Sequence, residues 1–241
     1  MRLDGLLGKL NIASRSDAKK LIRSGKIMIN REKVTDPGMQ VSENDIVTFE
    51  GKEYTYQKYV YYMLNKPAGC VSATEDEGTT VIDIFKTACV KKYGELPNVR
   101  IDELFPVGRL DKDTTGLLII TNDGDMAHRV LSYKYHVEKT YFVRLNKPLD
   151  KKMIDNIEGG VEIEEGVITK PAQISLTDEP ECWFITICEG KFHQVKRMFK
   201  CVGCEVLLLK RVSFGEISLD EDLPEGDLRL LTQEEIDSLH V

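Results

Sequence analysis

The segment that most limits the fold is an unbroken apolar run, Gly116-Leu117-Leu118-Ile119-Ile120-Thr121, closed by Asn122-Asp123-Gly124. A continuous apolar stretch of this length, ended by turn residues, reads as a strand held inside a sheet. Around it the pattern keeps changing. A strand is expected from 59 to 64, running into the turn Asn65-Lys66-Pro67-Ala68-Gly69. Helices are expected over 81–90, 124–131 and 192–202, strands over 139–145 and 205–214, and short strands with hairpin turns over 160–190. These elements interleave without the regular spacing of a doubly wound fold. Residues 59–241 are therefore expected to form an α+β domain with a mixed, largely antiparallel sheet flanked by helices.

Ahead of it lies a smaller unit over 1–55. Leu3, Leu6, Leu7 and Leu10 recur at helical spacing. Ser16 is the expected N-cap of a second helix that ends at Gly25, with Ala18, Leu21 and Ile22 as its buried stripe and Lys19 and Arg23 facing outward. Short strands over 26–30 and 45–49 follow, the second closed by Glu50-Gly51, and 52–58 reads as a polar linker.

At 241 residues the chain is long enough for one or two domains at roughly 150 residues each. It has no run of about 20 apolar residues, and Met1-Arg2-Leu3-Asp4 opens an amphipathic pattern rather than an export signal. The six cysteines read as reduced thiols of a cytoplasmic protein. The net charge of −7 argues mildly against a polyanionic partner until it is split by region. Residues 1–35 carry nine Lys/Arg against three Asp/Glu, a net of +6, and 216–241 carry one against nine, a net of −8. Local sign decides where a nucleic acid docks.

The stretch Phe105-Pro106-Val107-Gly108-Arg109-Leu110-Asp111-Lys112-Asp113-Thr114-Thr115-Gly116-Leu117-Leu118 sets two carboxylates, an arginine and two hydroxyls in a turn directly before the buried strand. Taken alone it is a capping turn, Tyr141 is a core residue, and Lys196-Arg197 is a solvated basic face. Three motifs in order change the reading. Gly108-Arg109-Leu110-Asp111-x-x-Thr114-Thr115-Gly116-Leu117-Leu118 resembles the signature loop of pseudouridine synthases. Lys139-Thr140-Tyr141 is similar to the family's Lys-x-Tyr strand, and Gly190-Lys191-Phe192-His193-Gln194-Val195-Lys196-Arg197 to its Gly-basic-x-x-Gln helix start. Residues 7–30 resemble the S4 RNA-binding module. Together these resemble the rRNA-modifying, S4-containing branch of the family.

That resemblance implies the conversion of uridine to pseudouridine in ribosomal RNA, with the 16S RNA of the small subunit favoured over the 23S RNA of the large one. The reaction breaks the N1–C1′ bond and rejoins uracil through C5, without redox change, so it implies no cofactor. Asp111 is the implied catalytic carboxylate, whereas Asp113 falls on a variable position. Tyr141 is implied to stack on the flipped uracil, and Lys196, where relatives outside the branch carry Arg, to pair with Asp111. Arg109 is the implied occupant of the gap left by the flipped nucleotide. Arg15, Lys19, Lys20, Arg23, Lys26 and Arg197 are implied RNA contacts, and His193 a structural or RNA-contacting residue. The implied partner is ribosomal RNA or a pre-ribosomal particle, with no membrane, and the enzyme a monomer. Cys201-x-x-Cys204 lacks a second ligand pair, so no metal site is expected.

Two other readings stay open on the residues alone. The loop over 111–116 superficially resembles phosphoaspartate loops of phosphotransferases, although those follow their strand and this one precedes it. A non-catalytic RNA-binding assembly factor would keep the basic unit, but has no use for Asp111, Tyr141 and Lys196 together.

Overall fold

A computed structural model describes every residue except 43, 133, 240 and 241. By compactness it falls into two units, Met1–Val60 with Cys89–Leu104, and Tyr61–Ala88 with Phe105–Val241.

The first unit opens with α1 (Leu3–Lys9) and α2 (Arg15–Arg23), followed by β1 (Ile27–Ile29), β2 (Glu32–Val34), β3 (Ile46–Phe49) and β4 (Lys52–Thr55). The four strands make one antiparallel sheet in the order β2-β1-β3-β4. The leucines of α1 pack with Ala18, Ile22, Ile27, Ile29 and Val47 as one core. Two expectations need correction. The N-cap of α2 is Ser14, whose hydroxyl accepts from the Asp17 N–H at 3.3 Å, while Ser16 lies inside the helix. The segment read as a linker begins with β4, because Glu50 and Gly51 both take positive φ and fold Lys52–Thr55 back onto β3.

The second unit is built on a sheet of nine strands. Its elements are β5 (Tyr61–Lys66), α3 (Val81–Tyr93, whose last turns fall in the first unit), β6 (Phe105–Pro106), β7 (Thr115–Thr121), α4 (Gly124–Leu131), β8 (Lys139–Leu145) and α5 (Lys151–Gly159). A small hairpin of β9 (Glu162–Glu164) and β10 (Val167–Ile168) precedes β11 (Gln173–Leu176), β12 (Cys182–Ile187), α6 (Gln194–Cys201), β13 (Val206–Phe214) and β14 (Ile217–Ser218). The chain continues into β15 (Leu228–Leu230) and α7 (Gln233–Ser238).

The sheet runs β11-β12-β8-β13-β7-β5-β15, with β14 beside β13 and β6 beside β7. Every pairing is antiparallel except that of β13 with β7. The α+β reading with a mixed, largely antiparallel sheet holds. All residues of β5 and β7 are buried, as the apolar run at 116–121 requires. Helix α5 has no counterpart in the sequence reading. In the acidic C-terminal segment Leu228 and Leu231 are buried, and β15 forms the sheet edge beside β5.

Gly116 is the residue the parallel pairing cannot do without. It sits at φ +101°, and a Cβ there would lie 2.2 Å from the Arg211 carbonyl oxygen. No L side chain fits both that conformation and that approach.

Candidate active site

The loop from Gly108 to Thr114 gets its shape from a buried cation. Lys66, at the end of β5, has no solvent exposure, and its Nζ donates to the carbonyls of Pro67 (3.1 Å), Asp111 (3.1 Å), Lys112 (3.4 Å) and Thr114 (2.9 Å). Burial pushes its pKa down, against the pull of Cys70, Asp113 and Asp111. Ser72 fixes the loop from the side: its Oγ donates to the Leu110 carbonyl at 2.8 Å and accepts from the Leu110 N–H at 3.0 Å. The Gly69 N–H donates to the Lys112 carbonyl at 2.7 Å. With the backbone carbonyls turned inward, the Asp111 side chain is left on the open side.

There the Asp111 carboxylate meets two groups from the start of α6. Lys196 Nζ lies 3.1 Å from Oδ2 and His193 Nε2 lies 3.5 Å from Oδ1. Lys196 also donates to Asp113 at 2.5 Å, so the residue assigned to a variable loop position shares the cation. Burial alone would lower the pKa of Lys196, but its hydrogen bonds to Asp113 and Asp111, with their charges, leave it raised. Asp113 is held below the usual carboxylate range, chiefly by its hydrogen bond to Lys196.

The start of α6 is rigid for a reason visible in the motif. Gln194, buried, accepts from the Lys191 N–H at 2.9 Å and donates to Glu189 at 2.7 Å. Glu189 also accepts from the Lys170 N–H at 2.9 Å and pairs with the Lys191 ammonium. The helix begins at Gln194 rather than 192, because His193 takes φ 49°. That turn leaves Phe192 70% exposed and stacked on the His193 ring, with centroids 3.8 Å apart.

Asp111, Tyr141, Arg109, Phe192 and His193 line one cavity of about 750 Å³. Clefts that take small ligands span about 300–1,000 Å³. Tyr141 comes from β8, directly opposite Arg211 on β13 and Ile185 on β12, and is 8% exposed. The sequence therefore named residues from three distant segments that the fold brings to one place. Arg197 is an exception. Its guanidinium donates to the Ile163 carbonyl and Glu164 of the β9 hairpin and to the Phe192 carbonyl, and it does not line the cavity.

The N-terminal basic residues cluster on and directly after α2. Arg23 and Lys26 are exposed and Lys19 is half-buried. Lys20 pairs with Asp17 at 2.9 Å, and Arg15 lies 3.9 Å from the buried Asp4, which Arg2 holds in its charged form. Cys201 and Cys204 diverge, one donating to the Glu162 carbonyl and the other facing the Met153 sulfur. Sequence reasoning missed Lys66, Ser72 and Arg211. The signals were a lysine directly before Pro67 and a charge inside the apolar run of β13.

A family model described as RNA pseudouridylate synthase matches residues 60–200, and one described as S4 domain matches residues 1–47. An uncharacterized RNA pseudouridine synthase of Bacillus subtilis (strain 168) is 42% identical over 100% of this chain and 98% of its own. The ribosomal small subunit pseudouridine synthase A of Vibrio vulnificus (strain CMCP6) is 41% identical over 99% of both. A crystal structure of a pseudouridylate synthase superposes with TM-score 0.67 at 37% identity, covering 99% of each chain. Among the described residues no helix is long and apolar enough to cross a membrane.

Proposed function

The chain belongs to the RNA pseudouridylate synthase family, and from that premise we propose that it converts uridine to pseudouridine in ribosomal RNA, with small-subunit 16S RNA as the substrate. The observation that carries the reading is the meeting of Asp111 and Tyr141 in one open cavity, with the Lys196 ammonium 3.1 Å from the Asp111 carboxylate. In this reading 1–55 is the RNA-binding domain and 59–241 the catalytic domain.

The target uridine leaves the RNA stack, at a cost of a few kcal/mol, and enters the cavity. Tyr141 stacks on the base, and Arg109 at the rim takes the place it vacated. Asp111 is the nucleophile, aimed by the Lys196 ammonium 3.1 Å away. Breaking N1–C1′ and forming C5–C1′ transfers the C5 proton out and a proton onto N1. Arg15, Lys19, Lys20, Arg23 and Lys26 contact phosphates and supply affinity without reading sequence. Arg197 acts through what it holds, the β9 hairpin and the Phe192 carbonyl. The protein works in the cytoplasm as a monomer.

Tritium release from transcripts labelled at uridine C5 tests this. Release from the small-subunit transcript, abolished by Asp111→Asn, is the expected result. Release only from the large-subunit transcript would move the substrate assignment. No release from either, with RNA still bound, would leave a non-catalytic assembly factor.

A further inference from the structure

The floor of the cavity carries two cations that the roles above do not use. Arg211 is 2% exposed and Lys139 is 9% exposed, and both line the cavity beside Tyr141. Arg211 Nε donates to the Leu117 carbonyl at 2.7 Å and its guanidinium reaches the Tyr141 side chain, while among the described residues its Nη2 is buried without a partner. Lys139 Nζ donates to the Val137 carbonyl at 2.6 Å, and among the described residues no carboxylate forms an ion pair with either.

The two are brought together deliberately by the strand geometry. Arg211 pairs across with Tyr141, and Phe214 with Lys139. The register shifts between Arg211 and Ser213, so the extra residue turns Arg211 and Phe214, three apart, onto the face of Lys139 and Tyr141. Both cations then lie against the Phe214 ring, at 5.3 and 5.4 Å from its centroid. Burial and the neighbouring Arg211 lower the Lys139 pKa to about 8. Two buried like charges with no counterion are costly to the folded protein, which points to a negative charge that arrives only during turnover.

We propose that Arg211 and Lys139 form an anion-stabilising floor that takes up the negative charge appearing on the uracil carbonyl oxygens when the base is activated. This rests on the function proposed above. If Asp111 attacks C1′, the ester bond to C1′ forms, N1–C1′ breaks, and its electron pair spreads from N1 to O2 and O4. If it attacks C6, the C6–O bond forms, the C5–C6 π pair moves onto O4, and N1–C1′ then breaks with its electron pair left on the pyrimidine. On either route the pyrimidine oxygens become the anion, and donors fixed in a dry site stabilise it without reorganising. Rejoining forms C5–C1′, the bond to Asp111 breaks so that the carboxylate is regenerated, the C5 proton leaves, and N1 takes up a proton.

The test is single-turnover tritium release from a C5-labelled small-subunit transcript, beside formation of the N1–C1′-cleaved, C5-linked nucleotide within a transcript carrying 5-fluorouridine. Arg211→Gln and Lys139→Gln should each slow the uridine reaction by about 10²-fold, with the RNA dissociation constant little changed. Because fluorine makes the pyrimidine anion intrinsically more stable, the penalty should shrink to below about tenfold on 5-fluorouridine. Lys139→Arg should recover most of the rate. An equal penalty on both transcripts makes the role structural and overturns the proposal, as does a weakened dissociation constant with an unchanged rate, which marks a phosphate contact. If Arg211→Gln does not fold, Lys139→Gln decides alone. A wild-type protein inactive on both ribosomal transcripts would fail the proposed function instead.

Discussion

Lys66 and Asp111 meet through the backbone: the ammonium of the first donates to the carbonyl of the second at 3.1 Å. The same residue's carboxylate, on the other side, faces Lys196 at 3.1 Å. One cation thus shapes the loop from below and another holds the Asp111 carboxylate from above.

Replacing Lys66 by Met removes the donor shared by four carbonyls and strands them in a dry interior. A loss of about 3–5 kcal/mol is expected, read as a lower urea midpoint at unchanged slope. A midpoint equal to wild type would mean that the loop holds its shape without the ammonium.

Gly116→Ala puts a Cβ 2.2 Å from the Arg211 carbonyl oxygen at φ +101°. Destabilisation of about 3 kcal/mol or more, with lost activity, is expected by thermal unfolding and tritium release. Gly124→Ala is the control, since nothing lies within 4 Å of its Cβ position, and it should stay within about 0.5 kcal/mol.

Lys196 serves two carboxylates that differ in exposure, Asp111 at 26% and Asp113 at 74%. Asp113→Asn should leave the single-turnover rate within about fivefold, because an exposed partner contributes roughly 1 kcal/mol or less. Lys196→Ala should cost about 10²-fold. Equal losses from the two variants would place Asp113 within the reacting constellation.

The lowered pKa of Lys139 gives a pH signature with a definite sign. Facing it are Arg211 and the Phe214 ring of β13, Cys188 beyond β12, and Tyr141 of its own strand. Its ammonium is charged below about 8 in the folded protein, so the single-turnover rate should fall as pH rises through 8. Lys139→Arg should flatten that limb. The unfolded chain keeps its proton up to about 10.4, so between those values it binds more protons and stability should rise with pH. Relative to Lys139→Met, the wild type should gain stability between about pH 8 and 10.4, as followed by urea unfolding.

Lys19→Ala combined with Arg23→Ala should weaken RNA binding and reduce the slope of log K against log salt by about 1.4 to 1.8. The rate at saturating RNA should hold. An unchanged slope would remove α2 from the phosphate interface.

The sequence could disclose what repeats or what is locally unusual. The apolar run became β7, the leucine spacing became α1, and the bounds expected for α4 and β8 match those observed. Asp111, Tyr141 and Lys196 were legible because each lies in a recognisable local motif, although the fold alone brings their segments together. Lys66 and Arg211 act through partners 45 and 94 residues away, so no window around either reveals a role. Ser14 and Ser16 are equally good caps by type, and it is Ser14 that takes the extended backbone and accepts from the Asp17 N–H. The bulge that aims Arg211 into the cavity is a register shift, invisible to a period-2 pattern.

Asn65, beside Lys66, is latched by residues far downstream: its N–H donates to the Asp227 carbonyl, its side chain to the Leu223 carbonyl, and its own carbonyl accepts from Gly226. A protease cutting at the exposed Glu221 would slacken that latch and, one residue on, the ammonium beneath the loop. Activity would then be silenced by a nick at a position no chemical argument about the reaction would single out, with every side chain of the cavity still present.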